Sequence, residues 1–291
     1  MTTILTPYNT KNILITYDEL CLIFKKMNIN IPPNNIDTYI HSLTHKSYTK
    51  TNNYELSKCK NDSEYILGKR DKDILDLFDK HNEKLEFLGD RIIDAVVVEY
   101  IYNRYNSTGA NEGFMTKLKT RLVKTDTLAI FAKYLELDKY VIISNHMENR
   151  CNGRQNNNIL ENTFEAFIAA TFNDYNNTNL KLNNTTIRFG YEICKTVIYH
   201  LLNTLIDFEE IVMNDDNYKD IILRYFQQTY HVSPVYKIIK EEGPPHKRTY
   251  EIGIYDNCHS LIGVGISNSK KNAEQIASKN ALIQLGELKV N

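Results

Sequence analysis

The sequence lacks three things that would each have settled a functional class early. It has no surplus of positive charge, since 35 Lys and Arg stand against 36 Asp and Glu, a formal net charge of −1 over 291 residues. Binding to a polyanion rests on Lys and Arg replacing condensed counterions, so any surface for such a partner has to be local. The sequence also lacks long apolar runs. No stretch reaches the roughly 20 apolar residues of a membrane span, and the N-terminal MTTILTPYNTKNILITY has no charged region leading into an apolar core. A soluble, intracellular, cytoplasmic protein with no membrane partner is expected; a nuclear or viral-factory location is compatible with the same features. Finally, its five cysteines, Cys21, Cys59, Cys151, Cys194 and Cys258, are scattered and never in CxxC spacing. Neither a disulfide framework nor a zinc site is indicated.

What the sequence does have is helical periodicity over most of its length, in a chain long enough for two ordinary domains. Apolar residues recur at helical spacing from Tyr17 to about Met27, and Pro32-Pro33 stops the pattern. A second short helix is expected from about Asp37 to Tyr48. Residues from about 49 to 80 are polar, with a late helical-looking run at Ile74, Leu75, Leu77 and Phe78; they read as an insertion with partial helix. The strongest helix, Asn82 to Asn103, is apolar on nearly all sides and should be central and buried. Further helices are expected from about Gly113 to Leu135, Ile159 to Asp174 and Thr186 to Ile211. After residue 215 the texture changes. A helix (Tyr218 to Tyr230), three strand-like runs (Val235 to Lys240, Thr249 to Tyr255, Ser260 to Gly265) and a final helix (Lys270 to Leu285) make a compact α-β-β-β-α module.

Within NEKLEFLGD, Glu83, Glu86 and Asp90 stand at i, i+3 and i+7, on one face of the strongest helix. Like charges packed there raise a pKa and cost stability, and a divalent cation removes that penalty. A hard ion such as Mg²⁺ takes oxygen ligands and suits phosphate hydrolysis. Gly89 inside this helix costs about 1 kcal/mol relative to alanine, so a close packing partner is expected. A second polar group, Glu161, Asn162 and Glu165 in ENTFEAFIAATF, lies on another apolar helix.

These residues resemble the ribonuclease III family. NEKLEFLGD matches the family signature almost letter for letter, SLTHKSY (Ser42 to Tyr48) matches the upstream motif, and NEGFMTKLKTRLV and NTFEAFIAA continue the resemblance. It implies an all-α ribonuclease III catalytic domain over residues 15–211, after an N-terminal extension (1–14) and interrupted by the insertion at about 49–80. A linker (212–215) and a double-stranded-RNA-binding domain (216–288) follow. Glu86, Asp90 and Glu165 match the metal-binding and catalytic acids, and Glu83 and Glu112 match supporting acids. The fourth metal position, normally aspartate, is Asn162 here. An amide oxygen supplies a dipole and no charge, so weaker metal binding is expected; Glu161, about 100° further round a regular helix, is not expected to substitute.

The C-terminal module resembles the double-stranded-RNA-binding fold in NYKDIILRYFQQ, GPPHKRTY and GVGISNSKKNAEQIASKNAL. Such domains bridge two minor grooves of A-form RNA and the phosphates between them. The resemblance assigns RNA contacts to Gln227, His246, Lys270, Lys271 and Lys279. Altogether it implies a Mg²⁺-dependent endoribonuclease, with Mn²⁺ as a substitute ion, acting on double-stranded RNA as a homodimer formed through the catalytic domain. Its products are expected to carry 5′-phosphates and short 3′ overhangs. The alternative is a catalytically weak or inactive double-stranded-RNA-binding protein that keeps the fold.

Overall fold

The computed structural model describes residues 3–52, 65–108, 110–176, 180–182, 185–208, 211, 218–243 and 248–288. It divides into two compact units, Met1–Asp207 and Phe208–Asn291.

The first unit is built from helices α1 (Tyr17–Lys26), α2 (Ile36–Leu43), α3 (Glu83–Tyr105), α4 (Glu112–Leu122), α5 (Thr125–Tyr134), α6 (Asn145–Arg150), α7 (Asn157–Asn176) and α8 (Gly190–Leu205). Local chemistry sets several of their starts. Thr16 and Glu19 form a reciprocal capping box on α1, and Asn35, Asn111 and Ser144 accept from backbone N–H groups at the starts of α2, α4 and α6. Helix α7 is the hub. Its side chains from Thr163 to Thr171 are all buried, and aromatic rings link it to α1 and α2, with Phe24 against Tyr39 at 5.6 Å and Tyr39 against Phe167 at 5.2 Å.

Four expectations are corrected. The helix expected from Gly113 to Leu135 is two helices, because Lys124 is extended and the buried Thr127 turns its hydroxyl back to the Arg121 carbonyl at 3.0 Å. The last helix of this unit starts at Gly190 rather than Thr186 and ends at Leu205 rather than Ile211, since Thr185–Ile187 is strand β4, paired antiparallel with β3 (Leu180–Leu182). Helix α2 stops at Leu43, and Lys46–Tyr48 forms a separate single turn capped by His45. Residues 74–78 are not helical: Phe78 N–H donates to the Tyr48 carbonyl and Lys50 N–H to the Phe78 carbonyl, which holds the segment as a parallel bridge. Leu77 is thereby buried against Tyr48 and Ile142.

The N-terminal segment belongs to this unit. Strand β1 (Thr3–Leu5) pairs in parallel with β2 (Tyr65–Leu67) from the insertion. Asn9 and Asn12 are buried, and both donate to the Ile143 carbonyl.

The second unit has the expected order: α9 (Tyr218–Tyr230), β5 (Val235–Glu242), β6 (Thr249–Tyr255), β7 (Leu261–Ser267) and α10 (Lys270–Gln284). The strands form one antiparallel sheet, β5-β6-β7. Ile222 and Phe226 of α9, Ile254 and Ile262 of the sheet, and Ala277, Ala281 and Leu282 of α10 close its core. Gly263 and Gly265 let α10 lie directly on β7, since a Cβ at either would stand 2.4 or 2.1 Å from a helix carbonyl. No helix among the described residues is long and apolar enough to cross a membrane.

Candidate active site

Helices α3 and α7 cross at Gly89. A Cβ there would stand 1.8 Å from the Glu165 carbonyl oxygen, so only glycine permits this approach, and the close partner expected from the sequence is Glu165 itself. The crossing brings Glu86 and Asp90, on either side of Gly89, against the same stretch of α7.

Glu165 is 8% exposed and accepts no hydrogen bond among the described residues. Burial first, then the charges of Asp90, Glu161 and Glu86, push its carboxyl up to about 8, against a small opposing pull from Arg91. Burial also raises Glu86, with Glu83, Glu161 and Asp90 adding to it and Lys46 opposing. Glu161 is raised by burial as well; the nearby Thr125 side chain opposes this, and the charges of Asp90 and Asp126 reinforce it. Glu86, Asp90, Glu161 and Glu165 are therefore one electrostatic cluster.

The other residues singled out by the sequence fall at varying distances from this cluster. Glu83 is exposed and neutralised by Lys46, whose Nζ donates to Oε1 at 2.7 Å, so its carboxyl is lowered. Glu112 opens α4 and accepts from Thr116 Oγ1 at 2.7 Å, with no described contact to the four acids. Asn162 is half-buried beside Glu161. Sequence reasoning missed Arg91, whose guanidinium pairs with Asp90; its adjacency to Asp90 was the only signal.

A divalent cation fits this donor set chemically. Buried carboxylates that raise one another are the arrangement a hard cation relieves, and Glu165 accepts no hydrogen bond among the described residues. Among the described residues no three acid, His or Cys side chains are already closed on one point, so an ion has to draw them together and displace Arg91 from Asp90.

In the second unit Lys270 opens α10, its ammonium 5.0 Å over the Tyr250 ring and 3.9 Å from Glu241. Lys271 is exposed beside it, Lys279 lies over Tyr218 at 5.4 Å, and Gln227 is exposed on α9. His246, with Pro244 and Pro245, lies outside the described residues.

Comparison with known proteins identifies both units of the chain. Residues 35–182 match the family described as Ribonuclease-III-like, and residues 218–285 match the double-stranded RNA binding motif. The probable ribonuclease 3 of Acanthamoeba polyphaga mimivirus is 32% identical over 278 residues, covering 94% of this chain; the chain spans 46% of that relative's length. Ribonuclease 3 of Clostridium perfringens is 33% identical over 213 residues, covering 72% of this chain and 81% of that protein. Among solved structures, the nuclease domain of ribonuclease III from Campylobacter jejuni is 23% identical with a TM-score of 0.45, over 64% of this chain and 95% of that one. With the family match spanning about half its length and a bacterial relative covered over four fifths, this chain belongs to the ribonuclease III family of endonucleases, its helical domain followed by a double-stranded-RNA-binding motif.

Proposed function

We propose that the chain hydrolyses double-stranded RNA with Mg²⁺, or Mn²⁺ in its place, leaving 5′-phosphates and short 3′ overhangs. The observation that carries this reading is Glu165, a buried carboxylate with no hydrogen-bond partner among the described residues, set with Glu86 and Asp90 at the Gly89 crossing. Glu86, Asp90 and Glu165 are the acids that hold the ion, with Asn162 lining the site as a neutral amide. Bound there, the cation supplies an activated water and neutralises charge developing on the phosphate. Lys46 keeps Glu83 ionised at the rim, and Arg91, once displaced from Asp90, is a free cation next to the RNA phosphates. Lys270, Lys271 and Lys279, with Gln227 and the loop of His246, are the duplex contacts of the second unit.

One site cuts one strand, so cutting both needs a second copy. Helix α3 supports a homodimer. Phe87 is 75% exposed, and Ala95, Val98 and Tyr102 are exposed on the same side of the helix, with Arg91 among them, while Ile92, Ile93, Val96 and Val97 face the core. Light scattering should give a dimer for the wild type and a monomer for Phe87→Glu.

The charge missing at Asn162 favours a second reading, a protein that binds duplex RNA without cutting it. Incubating the full chain with a long RNA duplex and Mg²⁺ separates the two. Wild type is expected to shorten the duplex and Glu165→Gln to leave it intact; a wild type that binds the duplex and leaves it whole establishes the second reading.

A further inference from the structure

We infer that Glu161 supplies the fourth carboxylate of the cation site, in place of the neutral Asn162 beside it. The inference rests on the cation site proposed above and names a ligand that the family resemblance does not assign.

The geometry of α7 is the first reason. A helix turns about 100° per residue, so Glu161 lies about 40° from Glu165 around the axis, and Asn162 about 60° away on the other side. Both stand one turn before Glu165, and helical side chains lean toward the N-terminus, so the Glu165 side chain reaches toward the pair. Of the two, Glu161 is nearer its line.

The surroundings are the second reason. The charge of Asp90 bears on Glu161, and that of Glu161 bears on both Glu86 and Glu165, so it stands within charge range of the acids on both helices. The Thr125 hydroxyl at the start of α5 lies close enough to favour its charged form. Charge is the third reason. Four carboxylates balance two divalent cations, the number that clamps both the attacking and the leaving oxygens in phosphoryl transfer, whereas three carboxylates and an amide leave one charge uncovered.

The test is a Mn²⁺ titration of the full chain, with free ion counted by electron paramagnetic resonance, on protein whose fold is checked by circular dichroism. Glu161→Gln should weaken Mn²⁺ binding at least about tenfold, and Asn162→Ala by less than about threefold. The double variant Glu161→Gln with Asn162→Asp should recover most of the loss, because it moves the carboxylate to the neighbouring position. A Glu161→Gln protein that binds Mn²⁺ like wild type overturns the inference, as does Asn162→Ala losing as much as Glu161→Gln. Glu165→Gln keeps the two levels apart. If it loses binding while Glu161→Gln does not, only the role of Glu161 fails; if Glu165→Gln also binds normally, the proposed cation site falls and this inference with it.

Discussion

Single residues carry the most exposed commitments of this fold. Gly89→Ala would place a methyl 1.8 Å from a backbone oxygen of α7. Neither helix backbone can give locally, so the two helices must part. Overpacking of this kind costs on the order of 3 kcal/mol, and it also separates Glu86 and Asp90 from Glu165. Urea unfolding should show that loss, together with loss of cleavage, while Gly113→Ala, whose added carbon meets only Asn111 at 3.5 Å, should leave both near wild type. The need for a close partner at Gly89 was legible in the sequence from glycine's cost inside an apolar helix; which residue it met was not, because that depends on the crossing of two helices. His45 makes a pH prediction. Burial first and then Lys46 hold its imidazole down at about 4, against an ordinary 6.5, with Glu83 opposing. An unfolded chain therefore takes up a proton between those values that the folded chain refuses, so stability falls as pH falls from 6.5 to 4. Unfolding at pH 7 and at pH 4.5 should show a difference that His45→Gln reduces by up to about 3 kcal/mol; an unchanged difference would mean that this imidazole is not held neutral.

At the scale of elements, the periodic helices were read closely and the junctions were not. The central helix expected from Asn82 to Asn103 is observed at Glu83–Tyr105, and α9 and β6 have the expected bounds, because apolar spacing is set along one segment. The break between α4 and α5 depends instead on a side-chain to backbone bond from Thr127, and the extended form of residues 74–78 on pairing with Tyr48 and Lys50. The angular position of Glu161 was available from helix geometry alone. The N-terminal segment shows the same limit, since polar residues there look like loop until their partners are known. Asn12 Nδ2 donates to the Ile143 carbonyl at 2.9 Å, and its Oδ1 accepts from Ile143 N–H at 3.2 Å and from Arg154 Nη2 at 3.0 Å. Asn12→Ala leaves a buried backbone N–H without its acceptor, which costs about 1–3 kcal/mol. Amide hydrogen exchange should quicken at Ile143 and stay unchanged at the centre of α7; protection retained at Ile143 would show that the segment does not hold that strand of chain in place.

For the whole molecule, a net charge of −1 means that affinity for a duplex cannot come from a general basic surface. It has to come from a few cations set where phosphates pass. Lys270 and Lys271 at the start of α10 are the best placed, because the helix N-terminus adds its own attraction for anions. Lys270 is not idle in the free protein: it shares Glu241 with Arg248, which donates to that carboxylate at 2.6 Å. A phosphate must compete with that carboxylate, so binding should be modest at physiological salt and rise steeply as salt is lowered. Each phosphate neutralised on an A-form duplex releases counterions, and losing two such contacts should lower the slope of log affinity against log salt by roughly 1–2. Replacing Lys270 and Lys271 with alanine, in a full chain carrying Glu165→Gln to prevent cleavage, measures this directly. An unchanged slope would assign the electrostatic contact to other cations of the second unit. A lowered slope with unchanged unfolding would place the phosphate contact at the start of α10, as its helix dipole and paired lysines require.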